Sequence, residues 1–529
     1  MTPDTRDEEH KPEVASDVEL LASLGYKQEF KRDFSPAELF GLSFSIIGVA
    51  PSVASVLLYS IVYGPVAMVW GWATCSVFLM FIAMAMAELG SSAPTSGGLY
   101  YWAFKFSSPK YRNLLAWVIG YINTIGYIGG TAGIDWGLAL QIMAGASIGS
   151  NETFVPTNAQ TFGVYCAILV VHSIIASMAT KVVARLQLPY IALNILLCLG
   201  VIIGLPAATP KEFRNTAKFA MGDFENFVGW PDGYGFLLSF LAPLWTIGGF
   251  DTSVHISEEA RNAQVAVPLA IMLAPALGCM LGWAINVALV FCMGTDLANI
   301  TGSPIGQPMA TILFNSFGRN GTLAIWSLFI VTQFMMGTNV LTAGSRQIFA
   351  FARDGALPFS RFLYRLNAHT GTPINCVCFC AFGAALLALL TFAGASAIGA
   401  VFTMAIVCQY LSYSTSIAAR FLGGTTFKPG PFYLGRFSLP VAVVAVSFML
   451  FMTVVLLFPL APDPTAQSMN YTIVVIGGTI ALCILYYFFP KYGGRYWFKG
   501  PVTTVEQVVD NDDGSKDDFK QEFESKASQ

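Results

Sequence analysis

Apolar runs of roughly twenty residues recur along almost the whole of this 529-residue chain, separated by short polar clusters. A helix of that length rises about 30 Å, the thickness of a bilayer's hydrocarbon core. Inside that core every backbone N–H and C=O must be satisfied within the segment, so runs like these fold as spanning helices. The fold class expected is therefore an all-α polytopic membrane protein with about twelve transmembrane helices. The spans fall near 36–62, 65–89, 113–147, 161–179, 186–207, 236–256, 268–294, 321–351, 373–393, 396–419, 438–460 and 471–490. Charged residues make up 11% of the chain, against about 25% in soluble domains.

Basic residues orient the spans. With the N-terminus inside, 24 of the 28 lysines and arginines fall in inner segments, and only Lys211, Arg214, Lys218 and Arg319 fall outside. That is the bias of cytosolic loops. Four Asn-X-Thr sequons, at Asn151, Asn299, Asn320 and Asn470, all lie in segments this topology puts outside, and they are candidate glycosylation sites. The two signals share no residues. Both termini inside requires an even number of spans. The polar first 33 residues lack a basic stretch followed by an apolar core, so no cleaved signal peptide is expected. The tail after Pro490 turns acidic and is expected to be disordered and cytosolic.

Two spans carry signs of a break. The sixth runs into Trp245-Thr246-Ile247-Gly248-Gly249-Phe250-Asp251. Adjacent glycines weaken a helix by roughly 1 kcal/mol each relative to alanine. A carboxylate at that depth costs at least ~2.5 kcal/mol unless it finds water, a partner or a ligand. The first span has Gly48-Val49-Ala50-Pro51-Ser52 at its middle, and proline removes a donor and clashes with the preceding turn. Interrupted helices five spans apart point to two inverted repeats with a binding site between them. The alternative for the sixth span is a kinked packing helix whose Asp251 caps a neighbour.

Other polar groups in the spans are few. Asp135 sits within the glycine-rich third span, which also holds Gly120, Gly126, Gly129, Gly130, Gly133 and Gly137. It must face protein or a cavity, as a substrate ligand or as a packing partner. His172 reads as a satisfied packing histidine, and Lys181 as a side chain reaching for the inner surface. All ten cysteines lie in apolar runs, so neither a disulfide framework nor a metal site is expected. Cys376, Cys378 and Cys380 cannot share one helix face. No Gly-Lys dipeptide exists for a phosphate loop, which argues against an ATP-driven pump. No His-Glu-x-x-His motif and no nucleophile with a base is found. The chain is not expected to be an enzyme, to carry a cofactor or to bind nucleic acid.

Three stretches together resemble a known family. They are Ala87–Trp102 (AELGSSAPTSGGLYYW), Trp245–Asp251 with His255–Ala260 and Val267-Pro268, and Ser345-Arg346-Gln347 with Phe351–Pro358 (FARDGALP). They are similar to the amino acid–polyamine–organocation superfamily of permeases, in particular its fungal amino acid/choline branch with the GABA permeases. Leu21–Ser35 and Gly430–Gly435 look like that group too, and the resemblance runs from about Leu20 to Pro501.

The resemblance implies a five-plus-five inverted repeat plus two helices. The divisions would be a tail at 1–33, a first repeat at 34–210, and a second at 211–420 with its preceding outer loop. The last two spans would lie in 421–490 and a cytosolic tail in 491–529. It implies substrate binding by Gly48, Val49, Ala50 and Ser52 at the first break and by Trp245, Thr246, Ile247, Gly248 and Gly249 at the second, with the Trp245 ring closing over the solute. Asp251 falls where such permeases keep an acid tied to gating or proton coupling. Glu88, Glu258, Arg346 and Arg353 fit inner-gate positions. The implied function is import of GABA or a related amino acid, by proton symport, at the plasma or vacuolar membrane. Choline, a polyamine or an ordinary amino acid are alternative cargoes, and a nutrient sensor is an alternative of another class. One departure stands out: Pro51 has no N–H where relatives offer a donor.

Overall fold

The computed structural model describes residues 16–178, 180–459, 461–465 and 469–505. It is all helix apart from one isolated bridge, Phe34 to Ala260, among the described residues. The acidic stretch 506–529 lies outside them, and with it the expectation of a disordered tail.

The first span comes as two helices, α1 (Pro36–Ile47) and α2 (Val49–Val56). Ser35 caps α1 in a reciprocal box with Glu38, and Pro36 fills the first position, where no N–H is needed. There follow α3 (Trp72–Ser92), α4 (Gly98–Phe106), the 38-residue α5 (Arg112–Gly149), α6 (Asn158–Ala176) and α7 (Thr180–Ala208). The sixth span is also split, into α8 (Leu241–Thr246) and α9 (Thr252–His255). Beyond it lie α10 (Ala263–Cys292), α11 (Pro308–Arg353, kinked at Gly318), α12 (Ile374–Ala388), α13 (Ala395–Leu422), α14 (Ser438–Leu457) and α15 (Thr472–Phe488).

Ten helices among the described residues are long and apolar enough to cross a membrane. The sixth span escapes that count because each half is too short, and α15 because it has 17 residues. Together they make the twelve spans expected from the apolar runs. Burial follows position. In α2 and α9 almost every residue is buried, whereas α7, α14 and α15 present Leu196, Ile203, Val454, Val474 and Leu485 outward, as lipid-facing helices do. Of the three clustered cysteines, Cys376 and Cys380 face inward and Cys378 outward.

The first break lies at Gly48, three residues before Pro51. Gly48 alone interrupts the helix, with φ 44° and ψ 63°. Pro51 sits in the first turn of the new helix, where a missing N–H costs nothing. Alanine at 48 would also collide with Met336, whose Sδ is 2.1 Å from where its Cβ would stand.

The N-terminal tail is polar in composition yet packed in its second half. Tyr26, Phe30 and Phe34 are buried, four residues apart. The Phe34 backbone bridges residues 259 and 261 just beyond the sixth span. From the other terminus, Thr504 exchanges hydrogen bonds with Gly25 and Lys27.

Candidate functional site

A small cavity lies where the first and sixth spans break. Ile46 and Ser52 line it from the first span, and Leu244, Trp245, Gly248 and Gly249 from the sixth. Gly130 and Ile134 of α5, Met336 and Val340 of α11, and Ala405, Ile406 and Gln409 of α13 complete the wall. Its free volume is about 40 Å³, room for about three waters, so an amino acid would need it to open.

The break of the sixth span follows from its sequence. Ile247 leaves helical geometry, and Gly249 takes φ 69°, a left-handed value that favours glycine. The helix restarts at Thr252. On the first-span side, Ser52 turns its hydroxyl back onto the Ile47 carbonyl at 2.8 Å. The N–H groups of Val49 and Ala50 open the new helix and so stand outside its ladder. The positive end of the new helix is what an anionic group would seek, although the Ala50 N–H is already directed to the Cys198 sulfur of α7.

No lining side chain carries a charge. Asp251 lies two residues past Gly249 but turns away from the cavity: Tyr127 of α5 donates to its Oδ2 at 3.2 Å and Tyr413 of α13 donates to its Oδ1. His255 Nε2 is 3.5 Å from the same Oδ2. Asp135 does not line the cavity either. Its Oδ1 lies 3.0 Å from His172 Nδ1, behind α5, and neither side chain has another hydrogen-bond partner among the described residues. Gly337 leaves room for this pair, since a Cβ there would come within 2.2 Å of Asp135 Oδ1.

At one end the Trp245 ring stacks edge-on against Phe402, centroids 4.5 Å apart, and Phe402 meets Tyr59. Tyr59 also lines a second small pocket with Ala400, Thr403 and the sequon residue Asn470. At the other end, where the basic residues gather, stand buried ion pairs. Arg353 grips Glu258 through two bonds of 3.0 Å, and Arg346 Nε donates to Glu259 at 2.7 Å. Tyr26 lies under the Arg353 guanidinium, 3.9 Å from ring centre to Cζ. Asp354 accepts from Tyr26, from Tyr100 and from the Val502 N–H. Glu88 pairs elsewhere, with Arg420, and also takes a bond from Ser438.

Of the residues singled out in the sequence, Ser52, Trp245, Gly248 and Gly249 thus line the cavity. Gly48, Val49, Ala50, Thr246 and Ile247 form the breaks without lining it. Glu258 pairs with Arg353 and Arg346 with the neighbouring Glu259 at the basic end, whereas Glu88 pairs separately with Arg420. Sequence reasoning missed Tyr127, Tyr413, Gln409, Met336, Glu259 and Asp354. Glu259 and Asp354 had a signal, being the acids adjacent to Glu258 and Arg353.

Comparison with known proteins decides the family. A family model described as amino acid permease matches residues 34–479. This chain belongs to the amino acid permease family. The permease is 39% identical to an uncharacterized amino-acid permease of Schizosaccharomyces pombe, over 94% of this chain and 90% of that one. It is 36% identical to the GABA-specific permease of Saccharomyces cerevisiae, over 93% of this chain and 86% of that one. It is 32% identical to amino-acid permease 2 of Neurospora crassa, over 93% and 90%. The permease is therefore a multi-pass membrane transporter of amino acids and not an enzyme.

Proposed function

We propose that the permease imports GABA or a related amino acid by proton symport, through alternating opening of the cavity between the two broken helices. The observation that carries the choice of cargo is the uncharged lining of that cavity. A zwitterion brings no net charge into it. Choline or a polyamine would bring one or more unpaired positive charges, at a desolvation cost of several kcal/mol each. One aromatic ring, Trp245, is too few for a cage around a quaternary ammonium. The similarity to a relative named GABA-specific permease supports the same cargo.

In this reading the substrate carboxylate binds the Val49 N–H and the Ser52 hydroxyl, at the helix end that Gly48 opens. The ammonium binds carbonyls freed at Thr246–Gly249, with the Gln409 amide and the Trp245 face. Asp251 belongs to the proton-coupling site and does not bind substrate. Asp135, paired with His172, supports the frame behind α5. Glu258, Arg346 and Arg353 form the inner gate, and Glu88 with Arg420 anchors α3 to α13 beside it. The five-plus-five repeats would span 34–210 and 211–420, with the basic end and both termini cytosolic and the protein in the plasma membrane.

Uptake of labelled GABA into fungal cells lacking their own GABA permease tests this, at acidic and neutral outside pH. The expected result is concentrative uptake that rises in acid and is blocked by alanine or ω-amino acids but not by choline or putrescine. Block by choline or putrescine would contradict the zwitterion assignment.

A further inference from the structure

Four histidines occur in the chain, and His255 stands at the junction of the two features described above, the Asp251 cluster and the inner gate. It is fully buried. Its Nδ1 lies 2.8 Å from the Ser96 carbonyl oxygen. A carbonyl only accepts, so Nδ1 carries a hydrogen. That leaves Nε2 to face Asp251 Oδ2 at 3.5 Å and the Asn123 amide at 3.3 Å.

With two tyrosine hydroxyls donating to it, Asp251 is arranged as an ionised carboxylate. A carboxylate with no exposure beside an imidazole lone pair lacks a counter-charge. One proton on Nε2 supplies it. Asn123 suits both states of the ring, since its amide offers a donor on one side and an acceptor on the other. Its Oδ1 has no partner as placed, and a half-turn of the amide would present that oxygen to an Nε2–H. Gly98 keeps the ring in position: its φ is 49°, and a Cβ there would come within 2.8 Å of His255 Cε1.

Ser96 then links this group to the gate. Its carbonyl holds His255, and its N–H donates to Glu258 Oε1 at 3.0 Å. Glu258 is the carboxylate that Arg353 grips.

We propose that His255 and Asp251 together bind the single coupling proton, on His255 Nε2, and that the Ser96 backbone transmits its presence to the Glu258–Arg353 gate. Loading forms the Nε2–H bond with a proton from the outer solution. Release breaks that bond, gives the proton to water on the inner side and leaves a lone pair facing an ionised carboxylate. The two then repel, His255 pulls on Ser96, and the gate loses its alignment. This rests on the proton-symport reading above and adds the residue that holds the proton.

Other groups around the pair are accounted for. From α5 come Tyr127 and Asn123, and from α13 Tyr413. The α11 helix brings Arg346 and Arg353, already paired with Glu259 and Glu258. In α1 the one acid, Glu38, caps its own helix. In α10 the titratable side chains are the buried thiols Cys279 and Cys292.

The test uses the full chain in proteoliposomes and a labelled amino-acid mixture supplemented with labelled GABA. Two readouts are taken: exchange against internal unlabelled amino acids, and accumulation driven by an acid-outside gradient. His255→Gln is expected to keep exchange and to lose gradient-driven accumulation and its pH dependence. Gradient-driven accumulation by His255→Gln with the parental pH profile would overturn the proposal. Asn123→Asp provides a second check, because an accept-only carboxylate favours the Nε2–H form. Its accumulation profile should shift to higher pH, and an unshifted or acid-shifted profile would also overturn the proposal. If the unmodified protein exchanges amino acids but ignores the gradient, the symport reading itself fails, and this assignment goes with it.

Discussion

The Trp245 ring lies against Gly133: a Cβ on residue 133 would stand 2.5 Å from the ring's Cη2. The ring that covers the cavity is thus seated on a helix with no side chain at the point of contact. Gly133→Ala should push Trp245 off its seat at a cost of about 1–3 kcal/mol, raising the KM for substrate roughly five- to 150-fold with little loss of folded protein. Uptake kinetics alongside surface expression check it. An unchanged KM would mean the ring does not close over substrate from this position.

The Glu258–Arg353 pair should behave as a unit. Removing either charge leaves the other buried and unpaired, at about 3–5 kcal/mol. Glu258→Gln and Arg353→Gln should each lower the melting temperature of the purified protein, and the double variant should lose less than the sum of the two. A coupling of about 0.5–3 kcal/mol is expected from such a cycle. Strict additivity would show that the two residues do not sustain each other.

Asp354, just past the end of α11, supplies a pH dependence. Burial pushes its carboxyl up to about 6 from the ordinary 3.8, against the opposing pull of Arg353, the Val502 N–H and two tyrosine hydroxyls. A value raised in the folded state means a contribution to stability that is complete below about 4 and is lost as pH rises through about 6. The basic end, where Tyr26 and Val502 meet Asp354, should therefore hold more firmly in acid. Melting temperature measured between pH 5 and 7.5 should fall with rising pH more steeply in the parent than in Asp354→Asn. Equal slopes would contradict this.

Glycosylation should select among the four sequons. Asn151 and Asn299 are exposed, one in a turn and one in a short helix. Asn320 lies within α11 with its Thr322 fully buried, and the Asn470 amide is engaged on the Leu456 and Phe458 carbonyls. A mobility shift on glycosidase treatment should disappear in Asn151→Gln/Asn299→Gln. A shift that persists undiminished would assign the glycans to the other two.

What could be read from sequence, and what could not, follows from the physics of each signal. The spans were legible because a bilayer demands unbroken apolar length, and the second break because Gly248-Gly249 weakens a helix wherever it lies. The first break was legible in Gly48 and Pro51 together, but proline marks a helix start as readily as a kink, and the left-handed Gly48 shows that Pro51 belongs to the start of the new helix. The direction of Asp135 was not legible. From Gly129 to Ala139 every residue of α5 is buried, so no polar face betrays which side meets the cavity and which meets His172. Tyr127 and Tyr413 reach Asp251 across 124 and 162 positions of sequence, and no local pattern encodes such a meeting. The packed tail did leave a trace in the four-residue spacing of Tyr26, Phe30 and Phe34.

The central claim is that a zwitterion crosses with a proton through a cavity without charge. Currents from proteoliposomes of the full chain on a solid-supported membrane test it most directly. GABA applied at acidic outside pH should move positive charge inward, the signal should shrink toward neutral pH, and choline should move none. A choline-evoked current, or GABA uptake that carries no charge at any pH, would contradict it.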